Sequence, residues 1–516
     1  MLGGTSVSMM PTLAGADPPG RMGTQAWAGW VVMAIAAIGW LLRAFPLIQA
    51  GPFGYFVDYD EGVYFASSSL LLRGALPYRD FTFVHPPGLL YCLSPAAWLS
   101  LIREPSFGFA AARWVFTLIG TVNVLLIGRL ALRSAGWVCA IAASLFYATH
   151  PVAVAIERGP FLEPVLNLCC LWLGWVWLAE NDRHRWKMLA AGAICGLAIS
   201  VKLLGVLWLL ACVVSAPRQL RGQWVAFVAA AAVSFVAIVG PVAAASPGDF
   251  LRQAVVFQLH RPADGPVTIL GRAAAIFAWG GQLFKSPLVI GGLALALVRW
   301  RDPMRKGVRF FSAAFILLTA AFLLSSTYWS QYNAHLAVPE SLLAGYAASA
   351  LWAWGVSKRA RQVLAVIVVG LAGFLGARRA LVTARRRSPK LLAMASFVRS
   401  EIPSSARILS FEPGWLLAAG RLPETSGGFL VVDSYAAMLM AATSEGRRFS
   451  SATQAFADPS SQQGISAVLR ASQFAILGGR GHWQLSEATQ QWLRSQFLQR
   501  FPPPGQDGID VWERAR

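Results

Sequence analysis

The residue types best suited to chemistry lie between 57 and 91, VDYDEGVYFASSSLLLRGALPYRDFTFVHPPGLLY, the longest polar, Pro/Gly-punctuated interval between two strongly hydrophobic runs. Asp58, Asp60 and Glu61 open a helix-compatible run that Gly74 closes, and acids at a helix start are stabilised by its unpaired N–H groups and its dipole. A carboxylate fixed at a membrane edge, facing Arg73, Arg79 and His85, can equally work as a general base beside a site for an anionic leaving group. Three further polar connections add candidates. ERGPFLEP supplies Glu157 and Arg158, which can neutralise each other, and Glu163, which opens an apolar helix where an unpaired acid is expensive. FQLHRPADG supplies Gln258, His260, Arg261 and Asp264. STYWSQYNAHLAVPE supplies Tyr328, Gln331, Tyr332, Asn333, His335 and Glu340; an interfacial aromatic belt accounts for Tyr328 and Trp329 but not for the amides and the imidazole. Lys202, in an apolar context, is either a snorkelling side chain or one with a partner or a task. Carboxylates activate an acceptor, cations hold a departing phosphate and the remaining groups hold hydroxyls, a set suited to a donor that joins a sugar to a phosphate.

The elements that must position these residues are membrane spans. With 516 residues, 56% hydrophobic, 13% charged and 21 Trp, the composition is that of a polytopic membrane protein. The net charge of +20 does not indicate nucleic acid, because Arg and Lys cluster between apolar runs as the positive-inside rule predicts. The six cysteines sit in or beside apolar segments without metal-ligand spacing, so neither a disulfide framework nor a zinc site is indicated. Residues 1–25 read as a disordered tail and 27–49 as an uncleaved signal anchor. Further runs follow at 110–130, 136–154, 161–179, 188–201, 203–216, 224–244, 274–298, 310–326, 334–355 and 362–377. They give about eleven crossings at ~20 residues each. Basic clusters such as Arg129/Arg133, Arg183/Arg185/Lys187 and Lys358/Arg359/Arg361 mark the cytoplasmic side. The connections at 50–108, 155–162, 245–273 and 327–335 then share the opposite face, together with Lys202 at the turn of a short helix pair. The domain plan is therefore a tail (1–25), a transmembrane domain (26–380, first outer loop 50–108) and a small soluble α/β domain (381–516). In the last, Ile408–Phe411, Phe429–Val432 and Phe474–Leu477 read as strands, and 390–402, 463–471 and 486–498 as helices. The Arg378, Arg379, Arg385, Arg386, Arg387 cluster argues against its export, and an even number of crossings would leave it in the cytoplasm.

At these residues the chain resembles the polytopic GT-C glycosyltransferases that use a polyprenyl-phosphate-linked sugar, particularly bacterial relatives of the protein O-mannosyltransferases and the lipid A aminoarabinose transferase. The pattern that carries the resemblance is Asp60-Glu61 in the first outer loop, then Gly74-Ala75-Leu76-Pro77-Tyr78-Arg79-Asp80-Phe81, then His85-Pro86-Pro87. It implies Asp60 as the catalytic carboxylate, Glu61 beside it, Glu163 as the second-loop acid and Lys202 on the donor phosphate; the residues themselves add Arg261 and His85 as further candidates to hold that phosphate. His85 stands where the aminoarabinose transferases have lysine, so a permanent charge becomes a titratable one. Arg79, Arg158, His260, Tyr328, Gln331, Tyr332, Asn333 and His335 are the candidate substrate contacts. The expected activity is inverting transfer of a hexosyl or pentosyl group to an acceptor hydroxyl on the extracytoplasmic face of the inner membrane, the acceptor being a lipid, glycan or protein. No cofactor is required, although a divalent cation between Asp60 and Glu163 would be compatible. The alternative is a transporter or lipid flippase, which predicts polar residues along helices near the midplane.

Overall fold

The computed structural model describes residues 21–179, 184–216, 222–265, 268–278, 286–298, 306–353, 358–385, 387–425, 430–502 and 508–515. The chain starts with α1 (Arg21–Gly54), bent at Gly51 by a φ of 72°. Two helices, α2 (Tyr59–Leu71) and α3 (Gly88–Ile102), occupy the first loop. The predicted spans at 110–130 and 136–154 prove to be two arms of one helical stretch, α4 (Pro105–Ala148), joined at Gly136, and the short α5 (Pro151–Ile156). Gly136 has φ 83° and ψ −173°, a conformation that a side chain with Cβ rarely adopts. Next come α6 (Leu162–Trp177), α7 (His184–Val201), α8 (Val206–Ser215) and α9 (Trp224–Ala243). As expected, Lys202 breaks the α7–α8 pair, in extended backbone at φ −152° and ψ 133°.

A helical stretch at 247–260 (α10, Pro247–Phe250; a π turn, Leu251–Val256; α11, Phe257–His260) leads to α12 (Ile269–Ala278) and α13 (Ser286–Val298). The bundle closes with α14 (Lys306–Leu324), α15 (Asn333–Ala353) and α16 (Lys358–Ala384). Among the described residues, five helices are long and apolar enough to cross a membrane, within Ala26–Gly54, Pro105–Ala148, Trp224–Ala243, Lys306–Leu324 and Val366–Ala384. Central to the bundle is α15, buried from Asn333 to Ala348 and packed on α4, α13 and α14.

The C-terminal part contains α17 (Pro389–Glu401), β1 (Ile408–Ser410), α18 (Pro413–Ala418), α19 (Ser434–Ala442), α20 (Ala452–Phe456), α21 (Pro459–Ala471), β2 (Phe474–Leu477), α22 (Gly479–Gln484), α23 (Glu487–Gln496), β3 (Phe497–Phe501) and β4 (Asp510–Arg514). Its sheet runs β1-β2-β4-β3, with β1 and β2 parallel and the other pairs antiparallel. The expected strands at 408–411 and 474–477 form. Residues 430–432 do not, because they lead into the N-cap Asp433 of α19.

The position of this domain corrects the sequence expectation. It lies against the first loop, not at the far end of the bundle: α18 packs on α2, and Tyr59 Oη donates to Asp433 Oδ1 at 2.8 Å. Arg129 and Arg133 lie far along the first arm of α4, about 36–42 Å from its start at 1.5 Å per residue.

Candidate functional site

A cavity opens where the first loop, the bundle and the C-terminal domain meet, with about 820 Å³ of space counted out to its open mouth. Asp60, His85, Lys202, Arg261, Gln331 and Tyr332 all line it, so four connections far apart in sequence converge as expected. The start of α2 is fixed by a capping box: the Asp58 carboxylate accepts from Asp60 N at 3.1 Å, and Glu61 Oε1 accepts from Asp58 N at 2.7 Å. The segment 74–85 is a tight loop. Asp80 Oδ2 accepts from Leu76 N at 2.7 Å, and Tyr78, at φ 71°, donates its hydroxyl to His85 O at 2.6 Å. Gln253 staples this loop by donating to Tyr78 O at 2.8 Å and accepting from Phe83 N at 3.0 Å. The G-x-x-P-Y-x-D-F motif thus builds the wall that holds His85.

The adjacent acids have opposite surroundings. Glu61 is fully engaged, with Arg113 Nη2 at 2.6 Å and Nε at 2.9 Å, so it serves as a buried counter-ion and cap and does not face the cavity. Asp60 faces the cavity and accepts one hydrogen bond, from Gln331 Nε2 at 2.6 Å. Burial, reinforced by the neighbouring Asp58 carboxylate, pushes its pKa up to about 7. A carboxyl group with that value is matched to proton transfer at neutral pH.

The cations lie nearby. Lys202 Nζ is 2.7 Å from Glu163 Oε1 and 4.4 Å from the centre of the Tyr332 ring, so Glu163 is paired with the lysine and does not line the cavity. Arg261 Nη2 donates to Tyr435 Oη at 3.3 Å. His85 does not supply charge. Its ring is packed edge-on to Tyr64 and Phe83, and burial, with Lys202 and Arg261 nearby, holds its pKa well below the usual imidazole range. At neutral pH it therefore offers a neutral N–H to the cavity.

A glycosyltransferase family 87 model matches residues 83–327. ArnT from Cupriavidus metallidurans in the apo state superposes with a TM-score of 0.63 at 14% identity, covering 94% of this chain and 98% of ArnT. The same protein bound to undecaprenyl phosphate gives 0.61 at 15%, covering 95% and 98%. The chain has the GT-C fold of polytopic glycosyltransferases. The archaeal oligosaccharyltransferase AglB from Archaeoglobus fulgidus, in complex with an inhibitory peptide and a dolichol-phosphate, gives 0.56 at 12%, covering 95% of this chain and 74% of AglB. No protein of curated function matches the sequence.

Within this GT-C fold, several expected substrate contacts lie elsewhere. Arg79 is exposed and paired with Asp80 at 2.8 Å, and His260 is exposed with its ring on Val256 O at 3.1 Å. Arg158 is buried under Tyr55, bonded to Leu42 O at 2.9 Å and Ala380 O at 3.3 Å. Tyr328 donates to Asn333 Oδ1 at 2.6 Å, and Asn333 in turn donates to Ala275 O. His335 is enclosed between Trp208 Nε1 at 2.8 Å and Asn167 Oδ1 at 2.5 Å. These are packing and hydrogen-bonding groups of the bundle. A divalent ion between Asp60 and Glu163 does not fit either: Glu163 is bonded to Lys202, and among the described residues no three His, Cys, Asp or Glu groups are placed as ligands.

Sequence reasoning missed the C-terminal contribution to the GT-C cavity. Asp433, Tyr435 and Arg480 line it. Tyr435 donates to Asp264 Oδ2 at 2.8 Å, and its N–H donates to Tyr59 Oη at 3.1 Å. The available signal was local: GGRGHW follows the apolar strand β2, a glycine-rich strand-to-helix turn presenting an arginine.

Proposed function

We propose that this protein transfers a sugar from a polyprenyl-phosphate donor to an acceptor hydroxyl, by single displacement with inversion, on the extracytoplasmic face of the plasma (inner) membrane. The observation that carries the reading is the cavity itself: Asp60, with a pKa near neutrality, shares one enclosed space with Lys202 and Arg261. The acceptor O–H gives its proton to Asp60, and its oxygen bonds to the anomeric carbon. The bond from that carbon to the donor phosphate oxygen breaks, and the lipid phosphate leaves with the electron pair toward Lys202 and Arg261. Gln331 holds Asp60 in place, and the neutral N–H of His85 serves a phosphate or sugar oxygen. Glu163 orients Lys202. ArnT with undecaprenyl phosphate and AglB with dolichol-phosphate support a polyprenyl-phosphate ligand for this fold. The transporter reading gains nothing from the bundle interior, whose charges are bonded to one another or to backbone carbonyls, as in Arg43–Glu157 at 2.5 Å and Arg158 on Leu42 O at 2.9 Å.

The test is mass spectrometry of lipids and glycans from cells with the wild-type gene, without it, and with Asp60→Asn. A product present only with the wild type, and a donor lipid that accumulates in the other two, is expected. Full product formation by Asp60→Asn overturns the assignment of the base, and identical glycans in all three strains overturn sugar transfer.

A further inference from the structure

Two carboxylates, Asp58 and Asp60, stand at one helix start in the same cavity, an arrangement that a nearby cation stabilises. The nearby cations of the bundle and loops each have a direct hydrogen bond, although the buried Nε of Arg261 has no partner. Arg113 holds both oxygens of Glu61, Lys202 is bonded to Glu163, and Arg261 is turned to the Tyr435 hydroxyl. Arg480 differs. Its guanidinium carbon lies 4.1 Å from the ring centre of Tyr59, the residue between the two aspartates. Its Nε is 3.7 Å from Glu412 Oε1, too long for a hydrogen bond, and this buried nitrogen has no hydrogen-bond partner. Its approach is fixed by backbone packing: Gly62 of α2 lies so close to Gly414 of α18 that a Cβ on Gly62 would overlap the Gly414 backbone.

We propose that Arg480, carried in by the C-terminal domain, is a positioning residue for Asp60: its guanidinium is the cation that lets Asp58 and Asp60 stand as neighbouring carboxylates in one cavity. The proposal rests on the reading of Asp60 as the base, and it makes the C-terminal domain part of the active site. Other charged groups face Asp60 as well. Tyr64 belongs to its own helix, Glu163 to α6 and Lys202 to the α7–α8 junction. Tyr332 precedes α15, and Asp433 and Glu412 come from the C-terminal domain. His85, on the wall loop, is neutral, and Arg261, after α11, is the cation already turned to Tyr435. On the C-terminal side Arg480 is the cation set against these acids.

The test reads Asp60 without turnover. Infrared carboxyl bands of the full chain in nanodiscs are titrated between about pH 5 and 9, with Asp60→Asn identifying the Asp60 band. Arg480→Gln should move its midpoint up by about one pH unit or more, and Arg480→Lys should bring it most of the way back. Arg480→Met, which keeps the stem over Tyr59, replaces the glutamine variant if that one does not fold. A midpoint unchanged in the folded Gln or Met variant overturns the proposal, as does a band that never titrates in that range. Because no sugar is added, either result stands apart from whether the protein transfers one.

Discussion

The bundle interior and the cavity contain the same kinds of groups and use them differently. Inside the bundle Arg43 bonds Glu157, Glu157 accepts from Asn123 and Tyr147, Asn167 donates to Tyr147, and His335 joins Asn167 to Trp208. The acid there spends its charge on a neighbouring cation and on hydrogen-bond donors, as burial away from water requires. In the cavity Asp60 has one protein donor, and Arg480 has only a distant acid. The contrast is that Glu157 in the bundle interior sits on a directly bonded cation, whereas Asp60 in the cavity does not.

The largest effect that could break this contrast is at Asp60. Asp60→Asn should lower turnover by about 10²–10⁴-fold while leaving the melting temperature near wild type, because the amide cannot accept the proton, Asp60 makes no direct salt bridge and the repulsion from Asp58 is relieved. Assay of transfer from an undecaprenyl-phosphate-linked sugar, beside a thermal melt, checks both halves.

The reverse pattern is expected at Glu61. Glu61→Gln strands the buried Arg113 and should destabilise the fold by about 3–5 kcal/mol, read by denaturation in detergent.

Lys202→Met should weaken binding of undecaprenyl phosphate by about tenfold or more, measured by calorimetry, and Lys202→Arg should recover part of it.

Turnover of the wild type should rise with pH through about 7. Burial and Asp58 raise the pKa of Asp60, and only the ionised form is a base, so activity falls as pH drops below that value. A profile flat from about pH 5.5 to 8.5 would detach the chemistry from Asp60.

The smallest effect belongs to the exposed Arg79, whose replacement by Ala should leave turnover unchanged despite its place in the motif.

Local physics was legible in advance. The cap at Asp58, the break at Lys202 and two of the four strands follow from residue types a few positions apart. The other two were missed because FLQRF reads as the end of a helix and DVWER is short and half-charged, so FLQRF becomes a strand only by pairing with β4, and DVWER by pairing with β2 and β3. Among the candidate site residues, Asp60, Lys202, Arg261, Gln331 and Tyr332 reached the cavity, whereas Arg158, Asn333 and His335 went into the packing of the bundle. Nothing in their spacing separates the two groups.

By itself the sequence determined the membrane class, the polar face and the acidic helix start, because run length, charge bias and capping act over one helix or less. Tertiary structure alone decided which polar groups find partners. It brought Arg480 from the last part of the chain over Tyr59 and placed the C-terminal domain against α2. That outcome depends on contacts between residues hundreds of positions apart, whose geometry comes from packing and leaves no local pattern.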